Sequence, residues 1–464
     1  MSAMNREYAV LRDGKSVTVL VLEDAKKGII SDLPIHAFKT LEDNNNVFVR
    51  DAKGKLKLVN VAAAWLKWEN RREYSGLGFY PGNGGLANHF NTFVGLPFHA
   101  KCGSWQLLQE HILVNLCEGD SGIYEHLLTW LAEIVQRPSK KTGSALVLLG
   151  EKGTGKSVFA DAISKLLGRY AITVSQLRAI FGNFNAHLKS KLLVVAEEAA
   201  IAAAAGADGI IKDMITGSKI HIEGKGRETV EENNNLRLMF ISNDDHVVRA
   251  SIGTERRFSV LRCGDRNRGD HVFFDALITE LENGGYEAML HDLMTHVPAN
   301  GWNSLRSPPK TAHLLAQQIE TLTPIQEFMR MWLTDGFYEQ DVGEPQLVLG
   351  TGASTAFKAI EIKSAIMEQL KSGPYGHAPK VSVETVAREC ERWLGATELR
   401  VNEAGGINTR RTLFIPKLSD ARAHATANFG IKFGQEVDDL TGTLGEVHLL
   451  HSRVARGRPS QGLH

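Results

Sequence analysis

The stretch that most restricts the fold is 145-ALVLL-149, 150-GEKGTGKS-157 and 158-VFADAISKLLG-168, read as one unit. Five apolar residues run into a loop with three glycines, and the loop runs into a segment with helical apolar spacing. A strand apolar along its whole length is buried on both faces, so the chain is α/β and helices must cover the sheet. Gly150, Gly153 and Gly155 let the backbone turn tightly, so that successive N–H groups face one anion. The loop matches GxxxxGKS in full. In that pattern the lysine, here Lys156, reaches the β and γ phosphates of a nucleotide. The Ser157 hydroxyl ligates Mg2+, and the following helix adds its positive dipole end. Residues Gly150, Glu151, Lys152, Gly153, Thr154, Gly155, Lys156 and Ser157 are the expected phosphate cradle, with ATP and Mg2+ the expected ligands. A glycine-rich surface turn would explain the glycines but neither the buried strand before them nor the helix after.

The strand pattern around this loop sets the organisation. At about 150 residues per domain, 464 residues give roughly three domains. Residues 1–75 read as a small, strand-rich α+β region, from 16-SVTVLVLE-23, 46-NVFVRD-51 and 55-KLKLVNV-61. Residues 76–141 read as a helical and irregular, collar-like region. Its part 78–99 is a loop dense in Gly, Asn and aromatics. Its part 121–137 is an amphipathic helix, with Tyr124, Leu127, Leu128, Leu131, Ile134 and Val135 on one face and Pro138 ending it. Residues 142–300 hold the buried strands 145-ALVLL-149, 170-YAITVS-175, 191-KLLVVA-196 and 236-LRLMFIS-242, then a helical span 271–297. Residues 301–450 give helices over 358–370 and 383–394, then strands 398-ELRVN-402 and 408-NTRRTLFI-415, the order of a winged-helix module. Residues 451–464 are a basic, polar tail expected to be disordered.

Bulk properties exclude some classes. Lys and Arg total 53, and Asp and Glu total 53. A surface coated for nucleic acid would be basic overall, so any such contact must be local. Cys102, Cys117, Cys263 and Cys390 have neither zinc-ligand spacing nor the density of a disulfide framework. The N-terminus lacks a secretory pattern, and 199-AAIAAAAGADGII-211 is too short to span a bilayer, so the expectation is a soluble, intracellular protein without membrane partners.

Hydrolysis needs acids near the phosphates. The run 191-KLLVVAEEA-199 ends a strand in two of them, about forty residues after the glycine loop. Glu197 is placed to hold Mg2+, and Glu198 to orient the attacking water. Asn243, ending 236-LRLMFISND-244, would contact the γ phosphate or that water. Arg256 and Arg257, in 253-GTERRFSVLR-262, would stabilise transition-state charge as an arginine finger. If so, a neighbouring subunit supplies it and the active form is an oligomer.

The order phosphate loop, acidic strand, patterned segment, Asn-ended strand and paired Arg resembles the superfamily 3 helicases, ring-forming AAA+ motors of small DNA viruses, phages and plasmids. More closely, 130-WLAEIVQRP-138, 184-FNAHLKSKLLVVAEEA-199, 212-KDMITGSKIHIEGKG-226 and 254-TERRF-258 resemble the helicase portion of phage and plasmid primase-polymerase/helicase proteins, over roughly residues 65–335. The resemblance implies an AAA+ P-loop NTPase core, a hexameric ring with ATP between subunits, and 3′–5′ movement on single-stranded or forked DNA. It also implies that the hairpin 219-KIHIE-223 and 228-ETVEE-232 projects into the pore. Lys225 and Arg227 would sit at its tip, with Lys219 and His221 nearby, holding backbone phosphates whatever the base. Arg400, Arg410 and Arg411 fall on the wing and would touch flanking DNA. The residues before the motor show no acidic catalytic triad and no zinc cluster, so no primase activity is expected and a separate primase or polymerase is an expected partner. Two other readings share the nucleotide residues. One is an AAA+ motor for DNA packaging or protein remodelling, and the other a nucleotide-gated ring that binds host replication proteins.

Overall fold

The computed structural model describes residues 1–13, 16–27, 29–50, 52–82, 84–176, 180, 182, 185–197, 207–224, 229–338, 347–372, 381–402 and 409–433. The chain divides into two units. One comprises Met1–Arg249 with Arg256–Gln317, the other Ala250–Glu255 with Gln318–His464. Both mix helices and strands, and the α/β class expected from the sequence holds.

The first unit opens with α1 (Met4–Glu7), β1 (Tyr8–Asp13), β2 (Ser16–Val21), α2 (Leu22–Lys26), β3 (Asp32–Pro34) and α3 (Ile35–Leu41). A hairpin follows, β4 (Asn46–Arg50) and β5 (Leu56–Asn60), then α4 (Val61–Trp65), β6 (Glu73–Tyr74), β7 (Gly76–Gly78) and β8 (His89–Asn91). One sheet has the order β3-β2-β1-β6. Its alternating strands bury Val10 and Val19 with Phe38 and Trp65 on one side, and Ala9, Leu11 and Leu20 on the other. The buried Trp65 indole donates to Asn5 Oδ1 (2.8 Å), so burial leaves no orphan N–H. The run 16–23 read as one strand ends at Val21, because Leu22 and Ala25 turn inward on the first turns of α2. The region 78–99, read as loop, carries β8, which pairs in parallel with β7.

The larger part of this unit has α5 (Gln106–Glu110), which widens into a π-helical stretch His111–Leu116, and then α6 (Ser121–Gln136). Asp120 caps α6 by accepting from the Gly122 and Ile123 N–H groups. Next come β9 (Ala145–Leu149), α7 (Lys156–Leu167), β10 (Ala171–Val174), β11 (Leu193–Glu197) and α8 (Ala207–Thr216). They are followed by β12 (Lys219–Ile222), β13 (Val230–Asn233), β14 (Arg237–Ile241), β15 (Phe258–Arg262), α9 (His271–Glu280) and α10 (Tyr286–Thr295). Five strands form one sheet in the order β10-β11-β14-β9-β15, every pair parallel. All carboxyl ends therefore lie along one edge. The loops after Leu149, Glu197, Ile241 and Arg262 leave from it, and this is where α/β sheets bind ligands. Phe159, Ile163 and Leu166 of α7 share a core with Leu148, Val195 and Met239 of the sheet and Trp130 and Leu131 of α6. Before β9 the chain is pinned by Arg237, which donates to the carbonyls of Pro138 (2.8 Å), Asn235 (3.0 Å) and Arg137 (3.2 Å), and to Lys140, beside Glu133.

The division between the units falls within α11 (Ala312–Glu320). The second unit has α12 (Pro324–Asp335), β16 (Thr355–Lys358), α13 (Ala359–Ser372), α14 (Val383–Leu394), β17 (Thr397–Asn402), β18 (Thr409–Ile415) and α15 (Leu418–Phe429). Its antiparallel sheet has the order β16-β18-β17. Ser382 caps α14 through the Thr385 N–H (3.1 Å), and Gly395 ends it in the left-handed region. Trp393 packs on Phe429 with ring centres 4.5 Å apart, and Trp332 on Phe357 at 5.5 Å. The short segment Ala250–Glu255 belongs to this unit. Arg392 donates to the Ile252 carbonyl (2.5 Å), and Gln318 to the Ser251 carbonyl (3.3 Å). The 358–370 helix seen in the sequence is α13; α12 was missed although Ile325, Phe328, Met329, Trp332 and Leu333 recur at helical spacing between the Thr323 cap and Gly336, whereas α15 carries little apolar periodicity.

Candidate nucleotide site

The loop 150–155 leaves the buried strand β9 at the carboxyl edge and enters α7 at Lys156. Two of its glycines are forced by surroundings as well as by backbone. Gly150 has φ 137°, and a Cβ there would meet the Cys263 carbonyl oxygen at 2.8 Å. Gly155 has φ 93°, and a Cβ there would meet the His111 and Phe274 rings at 2.6 Å. Gly155 is also the N-cap of α7, with no side chain capping the helix. The first-turn N–H groups are thus left for a ligand.

Lys156 is nearly buried, and its ammonium donates to the Gly150 carbonyl (2.6 Å), the Glu151 carbonyl (2.7 Å) and Asn243 Oδ1 (3.1 Å). Burial lowers its pKa. The Arg262 and Arg268 cations push the same way, against Glu151. The loop 263–270 closes over the cradle. The Gly269 N–H donates to the Gly153 carbonyl (3.1 Å), and the Cys263 thiol to the Thr154 carbonyl (3.0 Å). Arg268 stands 3.9 Å from both Glu151 and Asp265, and Arg262, at the end of β15, bonds Asp245 (2.8 Å). His111, fully buried in the π-helical stretch, meets Asn115 Nδ2 at 3.2 Å through Nδ1. Burial pushes its pKa down to about 4, so a neutral ring backs the loop.

Glu197 ends β11 and pairs in register with Ile241 of β14, so its half-buried carboxylate stands on the edge that carries Lys156 and Asn243. Ser157 is exposed in the first turn of α7. Among the described residues no three His, Cys, Asp or Glu form a metal-holding group. Mg2+ at Ser157 and Glu197 would therefore depend on the nucleotide for most of its ligands. Glu198 lies outside the described residues.

Arg256 and Arg257 are elsewhere. They precede β15, and the Arg257 carbonyl accepts from the Ala145 N–H (2.7 Å) at the start of β9. The pair therefore occupies the amino edge of the sheet, a full strand away from the phosphate loop. Arg262 and Arg268, which the sequence reading passed over, are the arginines at the loop. A strand-end rule would have found Arg262, since β15 runs parallel to β9 and ends level with Leu149.

β12 and β13 form the expected antiparallel hairpin, with His221 opposite Glu231. Lys219 pairs with Glu231 (3.3 Å), and Lys189 pairs with Glu232 (2.8 Å). The hairpin stem is thus charge-balanced, and His221 is exposed on it. Lys225 and Arg227, expected at its tip, lie outside the described residues. On the other unit, Arg400 is exposed on β17, opposite Arg411. Arg411 is tied to Glu398 (3.0 Å) and Glu384 (3.6 Å). Arg410 lies on β18, its side chain outside the described residues.

Residues 148–257, from the glycine loop to the arginine pair, match a family described as one of unknown function, DUF5906. Over 160 residues, 34% of this chain, the sequence is 27% identical to a DNA primase-polymerase of Nitratiruptor phage NrS-1. The matched part spans 22% of that relative's length. Apo structures of the NrS-1 C-terminal region align with 89% of this chain and 97–98% of theirs. Their TM-scores are 0.62, 0.62 and 0.60, at 16–17% identity. At that identity the likeness is one of fold, and the α/β architecture described above is shared with that region. Among the described residues no helix is long and apolar enough to cross a membrane.

Proposed function

We propose that this chain is an ATP-driven DNA helicase of a phage or mobile element, with residues 142–300 as its AAA+ superfamily 3 motor. The observation that carries the reading is the contact between Lys156 and Asn243 at the carboxyl edge of the parallel sheet. It joins the glycine loop to the end of β14, one strand from Glu197. A γ phosphate that displaced the loop carbonyls from Lys156 would meet the ammonium, Asn243 and Glu197 of β11 together. Arg256 and Arg257, at the opposite edge, complete such a site only from a neighbouring subunit, which favours a ring, taken as hexameric from the family resemblance. The similarity to a phage DNA primase-polymerase favours a replication setting and a separate primase or polymerase partner.

The remaining parts take roles around the motor. Residues 1–75 and 76–141 precede it, and 301–450 form a C-terminal domain whose helix–helix–hairpin order and three-stranded sheet fit a winged helix. Lys225, Arg227, Lys219 and His221 are assigned to the tracked strand, and Arg400, Arg410 and Arg411 to flanking DNA. DNA-stimulated ATP hydrolysis and separation of a forked duplex test the reading, with Lys156→Ala as the inactive control. Hydrolysis without strand separation would sink the helicase assignment. Loss of DNA stimulation in Lys225→Glu/Arg227→Glu, with basal hydrolysis retained, separates it from a packaging or remodelling motor.

A further inference from the structure

The hairpin of β4 and β5 has no core of its own. Phe48 is 72% exposed, and Val47, Val49, Leu56 and Leu58 are each about half exposed. Two-stranded ribbons are marginal in water without a packed face, and an apolar face left in solvent marks a binding surface. Yet the base of this one is firmly held. Asn60 Nδ2 donates to the Glu42 carbonyl (2.9 Å), Asn60 Oδ1 accepts from the Ala63 N–H (2.9 Å) that opens α4, and the Val61 N–H donates to the Asn45 carbonyl (2.8 Å). The result is an anchored stem whose strands, about 17 Å long, carry their apolar residues outward.

Charge identifies the occupant. Residues 46–60 hold Arg50, Lys53, Lys55 and Lys57 against a single acid, Asp51, in a chain with no net charge overall. A ribbon that docked a second copy or an apolar partner would gain nothing from four clustered cations. A strand of nucleic acid would use both features. Phe48 and Leu58 face each other across the ribbon, and Arg50 and Leu56 share their face. An unstacked base can lie on the Phe48 ring while Arg50, on the same face, takes a flanking phosphate. Lys57, opposite Val49, stands on the other face and, with Lys53 and Lys55 towards the turn, adds to the positive field around the strand, an arrangement that tolerates any base. A paired duplex offers no free base to such a ring.

We propose that the ribbon 46–60 is a single-stranded nucleic-acid contact, with Phe48 as the stacking platform, Arg50 as the phosphate contact on its face, and Lys53, Lys55 and Lys57 as the surrounding positive charge. It is a different surface from the β12–β13 hairpin, and it requires neither nucleotide nor hydrolysis. The test uses the full chain without nucleotide and fluorescence anisotropy of labelled oligothymidylate, an abasic oligomer of equal length and a blunt duplex. Phe48→Ala should weaken oligothymidylate binding about tenfold and leave abasic binding unchanged, and Phe48→Trp should retain wild-type affinity. Lys53→Glu/Lys55→Glu/Lys57→Glu should weaken both single strands and flatten the dependence of log affinity on log salt by about 2. Unchanged affinity and salt slope in both variants would overturn the proposal. So would an equal loss of oligothymidylate and abasic binding in Phe48→Ala, as expected if Phe48 served self-association. Wild-type preference for the duplex would also overturn it. Because Lys156 is untouched, ATP hydrolysis by these variants reports on the motor separately.

Discussion

Lys156 Nζ lies 3.1 Å from Asn243 Oδ1, across two parallel strands and 87 positions of sequence. The contact places the Asn243 side chain beside the glycine loop, where the proposed function gives it a role in turnover. Lys156→Ala should abolish ATP binding at concentrations that saturate the wild type. Asn243→Ala should leave binding within a few-fold and cut turnover by about 10²–10³, the usual cost of one pre-positioned polar partner of a transition state. Steady-state hydrolysis with a fluorescent nucleotide titration checks both. An Asn243→Ala enzyme with normal turnover would return that residue to a purely local role.

Arg256 and Arg257 sit at the edge of the sheet opposite the glycine loop, so complementation between subunits should be observable. Lys156→Ala and Arg256→Ala/Arg257→Ala should each be nearly inactive alone, the latter by about 10³-fold or more. Mixed, they should regain a measurable fraction of wild-type hydrolysis, because some interfaces pair an intact loop with intact arginines. Activity in the mixture equal to the average of the separate variants would place the arginines' action within one chain.

The parts legible in the sequence were those that local pattern dictates. Apolar runs marked β9, β10, β11 and β14, and glycine spacing marked the loop; β10, expected to be buried, is an edge strand with Thr173 exposed and only Val174 buried. What was hidden depends on contacts between distant segments. The order β10-β11-β14-β9-β15 decides that Asn243 and Arg262 flank the loop, and no window of sequence contains that order. His111 could not be read as the wall behind Gly155, because its π-helical stretch matches neither the helical nor the strand period. The ribbon 46–60 was read correctly as strands, but its exposure was not legible, since alternation says which residues share a face and not what covers it. Nor could the sequence show that Ala250–Glu255 belongs to a different unit from the arginine pair that follows it.

The Arg237 side chain should be worth more to stability than its acidic partner. Glu133 and Arg237 are both almost fully buried and 3.5 Å apart, but Arg237 also satisfies four main-chain carbonyls of the turn before β9 and the start of β14. Replacing a buried pair with apolar residues is often neutral, and here it should not be, because those carbonyls would be left without donors. Arg237→Met should cost about 3–5 kcal/mol, and Glu133→Gln, which keeps the shape and the Thr142 contact, about 1–3 kcal/mol. Urea unfolding midpoints give the comparison. Equal losses would mean that the charge pair, and not the carbonyl network, holds the turn.

One buried and one half-buried histidine, His111 and His126, should make the protein acid-sensitive from a pH above the range where carboxylates titrate. Burial lowers both His111 and His126 from 6.5 to about 4, and His126 Nε2 stands 2.9 Å from the Ser259 hydroxyl. Below pH 6.5 the unfolded chain takes up protons that the folded chain refuses, so folding stability falls with pH until about 4 and is unaffected by these groups lower still. The full loss is roughly 3 kcal/mol per histidine. His126→Gln removes one contribution while keeping a polar partner for Ser259. Relative to wild type, this variant should therefore gain stability steadily as pH drops from 6.5 to 4, whatever its offset at neutral pH. Urea midpoints for both proteins at pH 7.5, 6, 5 and 4.5 measure that difference, and parallel curves would show that His126 titrates normally in the folded state.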